Sequence, residues 1–443
     1  MNYSTLNEAM EQGKLAQEID ALSVYRALEQ VQDGRHKRGV RYSVALIFTL
    51  ILLGKVAGMT TPLAIAQWVR LRAEWLRTVL PITRKSFPCA ATYSNVLRAV
   101  DAEQVNHVLT QALIRIRATE RCGEEPSRLA GQAEREEHVH VALDGKTLRG
   151  TLGHEQADQR KMHQLALYET QTGLLLKEQV TAEKQNELSI VSQFLTPLWV
   201  TGRIYSADAL HTQHLFCTCV TRWKGDYVLI AKGNQPILHD DLQLFFSEPP
   251  ADCRDWRTAR TVDKGHGRLE IRELVASTEL NDFLAGQWAG VAQVFRLTRT
   301  VIEDGQTRTE VVYGITSLSP ARASAARLLQ LVRQHWSIEN RLHWRRDVTL
   351  REDHCQVRKG DAPRVLAVLN SFLLAVLDFL GVCNVPQQMR FFDAHPLQAV
   401  RLLLGSLLTF KSVGAILTYM RFAPNELRAS LGRTVADGGS DSG

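Results

Sequence analysis

The chain has 443 residues, too many for one compact core, and its 45% hydrophobic and 23% charged residues are those of a soluble globular protein of two or three domains. A net charge of +6 permits a polyanionic partner without demanding one; locally, Ala321 to Arg364 carries ten Lys/Arg against five Asp/Glu, and nine of the ten are arginine, whose planar fork suits phosphate. Seven scattered cysteines with no CxxC pair argue against a disulfide framework or a structural zinc site, the N-terminus lacks a signal-peptide layout, and the longest apolar run, Val44 to Leu53, is far short of the ~20 residues of a membrane span.

Residues 1–120 read as a helical domain. Apolar positions recur at helical spacing through Leu15, Ile19, Leu22, Tyr25 and Leu28, and again from Leu63 to Leu76. Thr60-Thr61-Pro62 marks one helix start, with proline at a tolerated early position, and Thr92 to Asn95 marks another. Arg70, Arg72, Arg77, Arg84, Lys85 and Arg98 either touch DNA or clothe solvated helix faces. Residues 121–137 are polar and charged, with Gly123, Pro126 and Gly131, and read as a linker.

From 138 to 249 the pattern becomes mixed. Val139 to Leu143, His163 to Tyr168 and Leu174 to Val180 read as strands, the last two joined by the turn residues Thr170 to Gly173. A helix over Glu187 to Leu198, a strand from Arg203 that closes on Asp208, a helix through His211, Leu215 and Val220, and a strand Tyr227 to Ala231 complete the series. Residues 250–319 alternate in short runs such as Leu269, Ile271 and Leu274, with turns at Asp263-Lys264-Gly265 and Glu303-Asp304-Gly305. This is the signature of an antiparallel, β-rich insertion. Helix resumes over 320–380, broken near Gly360 to Pro363, with Val365, Leu366, Val368, Leu369, Phe372, Leu373, Val376 and Leu377 as core. A helical region over 381–443 carries a last helix from roughly Leu397 to Tyr419 and a disordered tail from Arg433.

Within this frame the aspartate that closes Val139-His140-Val141-Ala142-Leu143-Asp144 is out of place unless an ion pair, a cap or a metal occupies it. In a sheet built as three strands, helix, strand, the first and fourth strands commonly lie side by side, which would bring Asp144 and Asp208 together. Two such carboxylates repel unless a cation separates them, and Mg²⁺ prefers hard oxygen ligands. Capping aspartates are the plainer alternative. Arg333 to Asp347 reads as a helix on which His335, Glu339, His343 and Arg346 share one face at i−4, i, i+4 and i+7, adding a third carboxylate or, alternatively, a solvent-facing ion pair. His211 and His214 suggest helix surface or support for the site rather than zinc, and His138 and His140 flank the linker. Trp336 and Trp344, eight apart, suggest core, with stacking on an unpaired base as the alternative.

Val-Ala-Leu-Asp144-Gly-Lys-Thr-Leu-Arg-Gly, then Ser-Ala-Asp208-Ala-Leu-His-Thr-Gln, then His-Trp-Ser-Ile-Glu339-Asn-Arg-Leu-His-Trp-Arg-Arg-Asp-Val resemble the three motif blocks of DDE-type bacterial insertion-sequence transposases of the H-repeat-associated group. Lys232-Gly233-Asn234-Gln235 and His266 to Arg272 extend the likeness over nearly the whole chain. The resemblance implies an α/β protein with a ribonuclease-H-like catalytic core, interrupted by the β-rich insertion and preceded by a small helical domain. It implies Mg²⁺ (or Mn²⁺), two ions per site, held by Asp144, Asp208 and Glu339. The implied partners are double-stranded DNA, as terminal inverted repeats and target, and a second copy of the chain in a homodimeric active complex. The implied location is the bacterial cytoplasm, at the nucleoid. Lys146, Lys232, Asn340, His335, His343 and Arg346 are the candidates for contacting substrate phosphate, and Asp353 is a candidate to support Glu339. The superfamily's tyrosine, arginine and lysine positions on the last catalytic helix are Val332, His335 and Arg346 here. The expected reaction is cleavage and joining of DNA ends by two-metal phosphoryl transfer. Its rivals are a structure-selective nuclease on the same core and a catalytically idle DNA-binding relic.

Overall fold

A computed structural model of the chain describes residues 20–122, 138–151, 162–181 and 191–405, apart from 37, 39, 83, 192, 193 and 266. Residues 121 and 122 of the linker expected over 121–137 instead end the helix Ala102–Cys122; the rest of it, most of the helix expected from Glu187, the helical spacing at Leu15 and Ile19, and the segment beyond 405 lie outside the described residues. The chain divides into two compact units, residues 1–126 with 376–443, and residues 127–375.

The first unit is helical. Ser23, Ser43 and Thr61 each accept a backbone N–H at a helix start, opening Val24–Leu28, Val44–Val56 and Pro62–Leu71. All thirteen residues of Val44–Val56 are buried, including Thr49 and Lys55, so this apolar run is the unit's central helix. The helix expected to begin at Thr92 instead starts at Ala90, behind Cys89. Asp393, on Val385–Ala394, accepts from Trp68 Nε1 at 2.9 Å and Arg72 Nη2 at 3.1 Å, tying the C-terminal helices to the N-terminal ones.

The second unit is built on one nine-stranded sheet. Its strands are β1 (Val139–Thr147), β2 (His163–Glu169), β3 (Leu174–Thr181), β4 (Arg203–Ala207), β5 (Asp226–Ala231), β6 (Arg257–Gly265), β7 (Arg268–Ser277), β8 (Gln293–Glu303) and β9 (Gln306–Thr316), in the spatial order β3-β2-β1-β4-β5-β9-β8-β7-β6. β1 is antiparallel to β2 and parallel to β4, which is parallel to β5. The inserted residues form an antiparallel meander that extends the sheet from β5 outward. Asp304 (φ 48°) and Gly305 (φ 75°) supply the two left-handed positions of the β8–β9 turn. Asp263, Lys264 and Gly265, expected as a turn, instead finish β6, and the chain reverses just beyond them. Gly314 allows β9 to close on β5: a Cβ there would collide with the Leu229 carbonyl and the Phe295 ring.

The helix Ala325–His335, opened by Ser324, lays Leu328, Leu329, Leu331 and Val332 against Ile204, Val228, Leu274, Phe295 and Leu297 of the sheet. Each such side chain contributes about 1.5–3 kcal/mol of burial, which fixes the segment that carries Glu339. Ala362–Phe379 is long and apolar enough to cross a membrane, but 89% of it is buried within the protein. Val365, Leu366, Val368, Leu369, Phe372, Leu373, Val376 and Leu377 are all core residues of this helix.

Candidate active site

β1 reaches further than its apolar run. Pairing with β4 ends at Leu143↔Ala207, but pairing with β2 continues through Asp144↔Ala166 to Thr147↔His163. Asp144 therefore sits within a strand, at the point where its β4 neighbour stops, and its Oδ1 accepts the Gly145 N–H at 2.8 Å. Lys146, two residues on, shares its side of the strand. Asp208 follows immediately on Ala207, the last residue of the adjacent parallel strand. It is exposed and caps a short turn through the Ala209 N–H at 2.7 Å. Asn234 supports that turn from the Lys232 to Gln235 loop, donating to the Ala209 carbonyl at 2.6 Å.

The third acid arrives on a distorted helix. After His335 the chain continues in widened turns over Ile338–His343 and Arg345–Thr349, where Trp344 N–H reaches Glu339 O and Leu350 N–H reaches Arg345 O, five residues back. Such π-type turns recur at functional sites. Here they alter which residues share a face. His343 keeps company with Glu339, its Nδ1 3.2 Å from Glu339 Oε2 and 3.4 Å from Asp144 Oδ2. Arg346 does not, because each widened turn absorbs about one more residue than an α-turn and carries position i+7 round to another side.

Arg346, expected to meet phosphate, is accordingly turned into the protein. This residue is 1% exposed and donates to both carboxylate oxygens of Glu352, at 2.9 and 3.0 Å, and to Gln164 Oε1 at 3.0 Å. Arg351, in the left-handed region at φ 52°, turns the chain so that Glu352 folds back beneath it. Burial would raise the Glu352 carboxyl, but Arg346 beside it holds it below its usual range. Lys146 is buried too, its Nζ 2.6 Å from both oxygens of Asp347 and 4.0 Å from Asp353. His335 also faces inward. Its Nδ1 lies 2.9 Å from Ser206 Oγ, which in turn lies 2.7 Å from His140 Nε2. Burial holds the His335 imidazole below its ordinary range against the pull of Asp144 and Asp208, so it is no cation at neutral pH. Lys232 and Asn340 are exposed.

Asp144, Glu339 and His343 offer ligand atoms that all lie within 4.8 Å of one another, with Asp208 outside this group. Burial raises the Asp144 carboxyl above the usual range, opposed by His343 and the Gly145 N–H and helped by Glu339. The hydrogen bond from His343 lowers Glu339. Two ligands bound at 2.0–2.2 Å and at right angles on one ion stand about 3 Å apart, so separations of 3.2 and 3.4 Å and this mixed carboxylate–imidazole set fit a divalent cation.

Two further expectations change. Trp336 and Trp344 are 60% and 52% exposed, flanking Glu339 on the surface rather than in the core. His140, expected beside the linker, is fully buried, bonded to Ser206, Gln334 and Thr170, and pulled down by burial to about 3. The sequence carried no signal for Ser206, Gln164, Glu352 or Asn370 as partners, because all lie far along the chain from the groups they meet or depend on the widened turns.

In this basic α/β chain, carboxylates thus follow the paired ends of two parallel strands, with a third on the helix beside them. The family described as transposase DDE domain matches residues 135–377, and the one described as DDE_Tnp_1-associated matches residues 25–112. The chain belongs to the transposase DDE domain family, in its H-repeat group. It is 28% identical over 243 residues to the H repeat-associated putative transposase YhhI of Escherichia coli K12, covering 54% of this chain and 63% of that protein. It is 30% identical over 278 residues to an uncharacterized protein in the dhlA 3' region of Xanthobacter autotrophicus (62% and 88% covered), and 26% identical over 357 residues to the putative transposase YncI of E. coli O157:H7 (78% and 85%). The chain thus spans somewhat under two thirds of YhhI.

Proposed function

We propose that the protein is a DNA transposase that cleaves the ends of an insertion sequence and joins them to target DNA. The observation that carries the proposal is the placement of Asp144 and Asp208 beyond Leu143↔Ala207, where parallel β1 and β4 part, with Glu339 brought to Asp144 on the neighbouring helix. A sheet in which β3-β2-β1 is antiparallel and β1-β4-β5 parallel supports a ribonuclease-H-like core, with β6–β9 as its insertion.

In this reading Asp144, Asp208 and Glu339 hold two Mg²⁺ or Mn²⁺ ions. When bound, the ions lower the pKa of an attacking water or 3′-hydroxyl and stabilise the leaving 3′-oxygen. The chain's own part is placement. Lys146 and Asp347 clamp β1 to the helix segment, and Ser206 and His335 hold β4 to it, so the three acids keep their spacing while DNA passes. Lys232 and Asn340, both exposed, would meet phosphate. A homodimer on paired inverted repeats, in the cytoplasm at the nucleoid, completes the reading.

A strand-transfer assay with paired terminal inverted repeats in Mg²⁺ tests it. Joined product is expected. Nicking without joining would favour a structure-selective nuclease, and a gel shift alone an idle relic. Asp144→Ala, Asp208→Ala and Glu339→Ala should each abolish cleavage and leave DNA binding nearly intact; full cleavage by one of them removes that residue from the site.

A further inference from the structure

Glu339 and His343 lie on one segment, four residues apart, and Asp144 lies on the strand they face. The imidazole is 4% exposed, and its Nδ1 points between the two carboxylates. Its other ring nitrogen, Nε2, is buried and has no hydrogen-bond partner among the described residues. A bridging histidine and a metal-bound one would both ordinarily use both nitrogens. This one has its whole polar investment at Nδ1, where two acids converge. The π-type turns Ile338–His343 and Arg345–Thr349 put it there while carrying Arg346 to the other side. Asp208, by contrast, is outside the group and occupied with the Ala209 N–H.

We infer that His343 is a nitrogen ligand, and that Asp144, Glu339 and His343 form a preassembled site which takes the first divalent cation in the absence of DNA and without Asp208. This rests on the reading that these acids hold metal. Asp208 then joins only with the second ion, when substrate oxygens complete its shell. Mg²⁺ keeps oxygen ligands and water more strictly than Mn²⁺ does, so with an imidazole among two carboxylates Mn²⁺ should bind this first position more tightly than Mg²⁺. The competing account is that a protonated His343 is itself the cation between the two acids, leaving no ion to bind there.

The test is Mn²⁺ titrated into the full-length chain without DNA, counting bound ions by electron paramagnetic resonance and reading nitrogen coordination by spin-echo modulation. Wild type should hold one tight ion with a ¹⁴N coupling, and protein made with ¹⁵N-histidine should show the corresponding ¹⁵N coupling, which needs no mutation. Asp208→Asn and His335→Gln should keep both ion and coupling. His343→Gln should lose the coupling and at least tenfold in affinity. No bound ion, an ion without nitrogen coupling, coupling that persists in His343→Gln, or loss of the first ion in Asp208→Asn each overturns the assignment. Strand transfer by a protein lacking the nitrogen coupling would sink this inference alone, whereas coupling without any DNA chemistry would leave it standing and sink the transposase reading.

Discussion

The segment from His335 to Asp353 feeds two clusters of charged side chains that follow opposite rules. On one side, Arg346 meets Glu352, Gln164 and, through Glu352, Asn370, while Lys146 meets Asp347. Opposite charges are matched there, with Lys146, Arg346 and Glu352 closed off from water. On the other side, Glu339 and Asp144 are set beside each other with only an imidazole between them, and Asp208 stands exposed nearby in the chain fold of β4. The first arrangement is satisfied by the protein itself; the second is left wanting positive charge. The matched and the unmatched arrangement sit on different turns of one helix, and the extra residue that each widened turn takes up separates them.

The sharpest way to break that comparison is to unmatch the satisfied cluster. Arg346→Met leaves Glu352 buried without its cation, and removing one partner of such a pair costs about 3–5 kcal/mol. A large fall in urea midpoint is expected. If the variant unfolds near the wild-type midpoint, the cluster is not structural. Within the same neighbourhood Glu178 marks an exception. It is buried, neither carboxylate oxygen has a hydrogen-bond partner among the described residues, and burial pushes it up to about 7. Its folded value lies above its unfolded one, so the unfolded chain gives up the proton first and stability falls as pH rises from about 4.5 towards 7. Glu178→Gln should therefore be more stable than wild type at pH 8, by up to about 3 kcal/mol, and equal to it at pH 4. Denaturation at the two pH values checks this, and an equal difference at both would show that packing, not charge, is at stake.

Much of this was legible beforehand for a simple reason. Strand periodicity and the inserted meander follow from local apolar patterns, which the sequence shows directly, and the adjacency of β1 and β4 follows from the order of strands and helix along the chain. Asp144 and Asp208 stand out as acids that close apolar runs, and Glu339 as an acid on a helix face with two histidines. What stayed hidden was the helical register after His335. An α-helix puts Arg346 beside Glu339, and nothing in Ile338 to Thr349 announces turns that carry it away. The burial of His140 was hidden as well, because its partners Ser206 and Gln334 come from strands and helices distant in sequence. The exposure of Trp336 and Trp344 is hidden too, because aromatic spacing alone does not say which side of a helix faces the sheet.

The smallest expected effect discriminates best between the two clusters. Asp144 lies against Glu339, and its carboxyl is raised by burial, with His343 only partly opposing. Like charges held together without a cation weaken the fold, so taking one charge away should relieve it. Asp144→Asn keeps the Oδ1 that accepts the Gly145 N–H and changes the volume little. Because the folded value lies above the unfolded one, wild type loses stability as pH rises through the carboxylate range and the variant does not. At neutral pH without metal the variant should thus unfold at the same midpoint or slightly higher, by about 1 kcal/mol or less, though cleavage is lost. Adding Mn²⁺ should then raise the melting temperature of wild type and leave the variant unmoved, since stabilisation by a bound ion requires its site in the folded state. A marked destabilisation by Asp144→Asn in metal-free buffer would mean that the acids, too, are matched internally, and the distinction between the two sides of this helix would disappear.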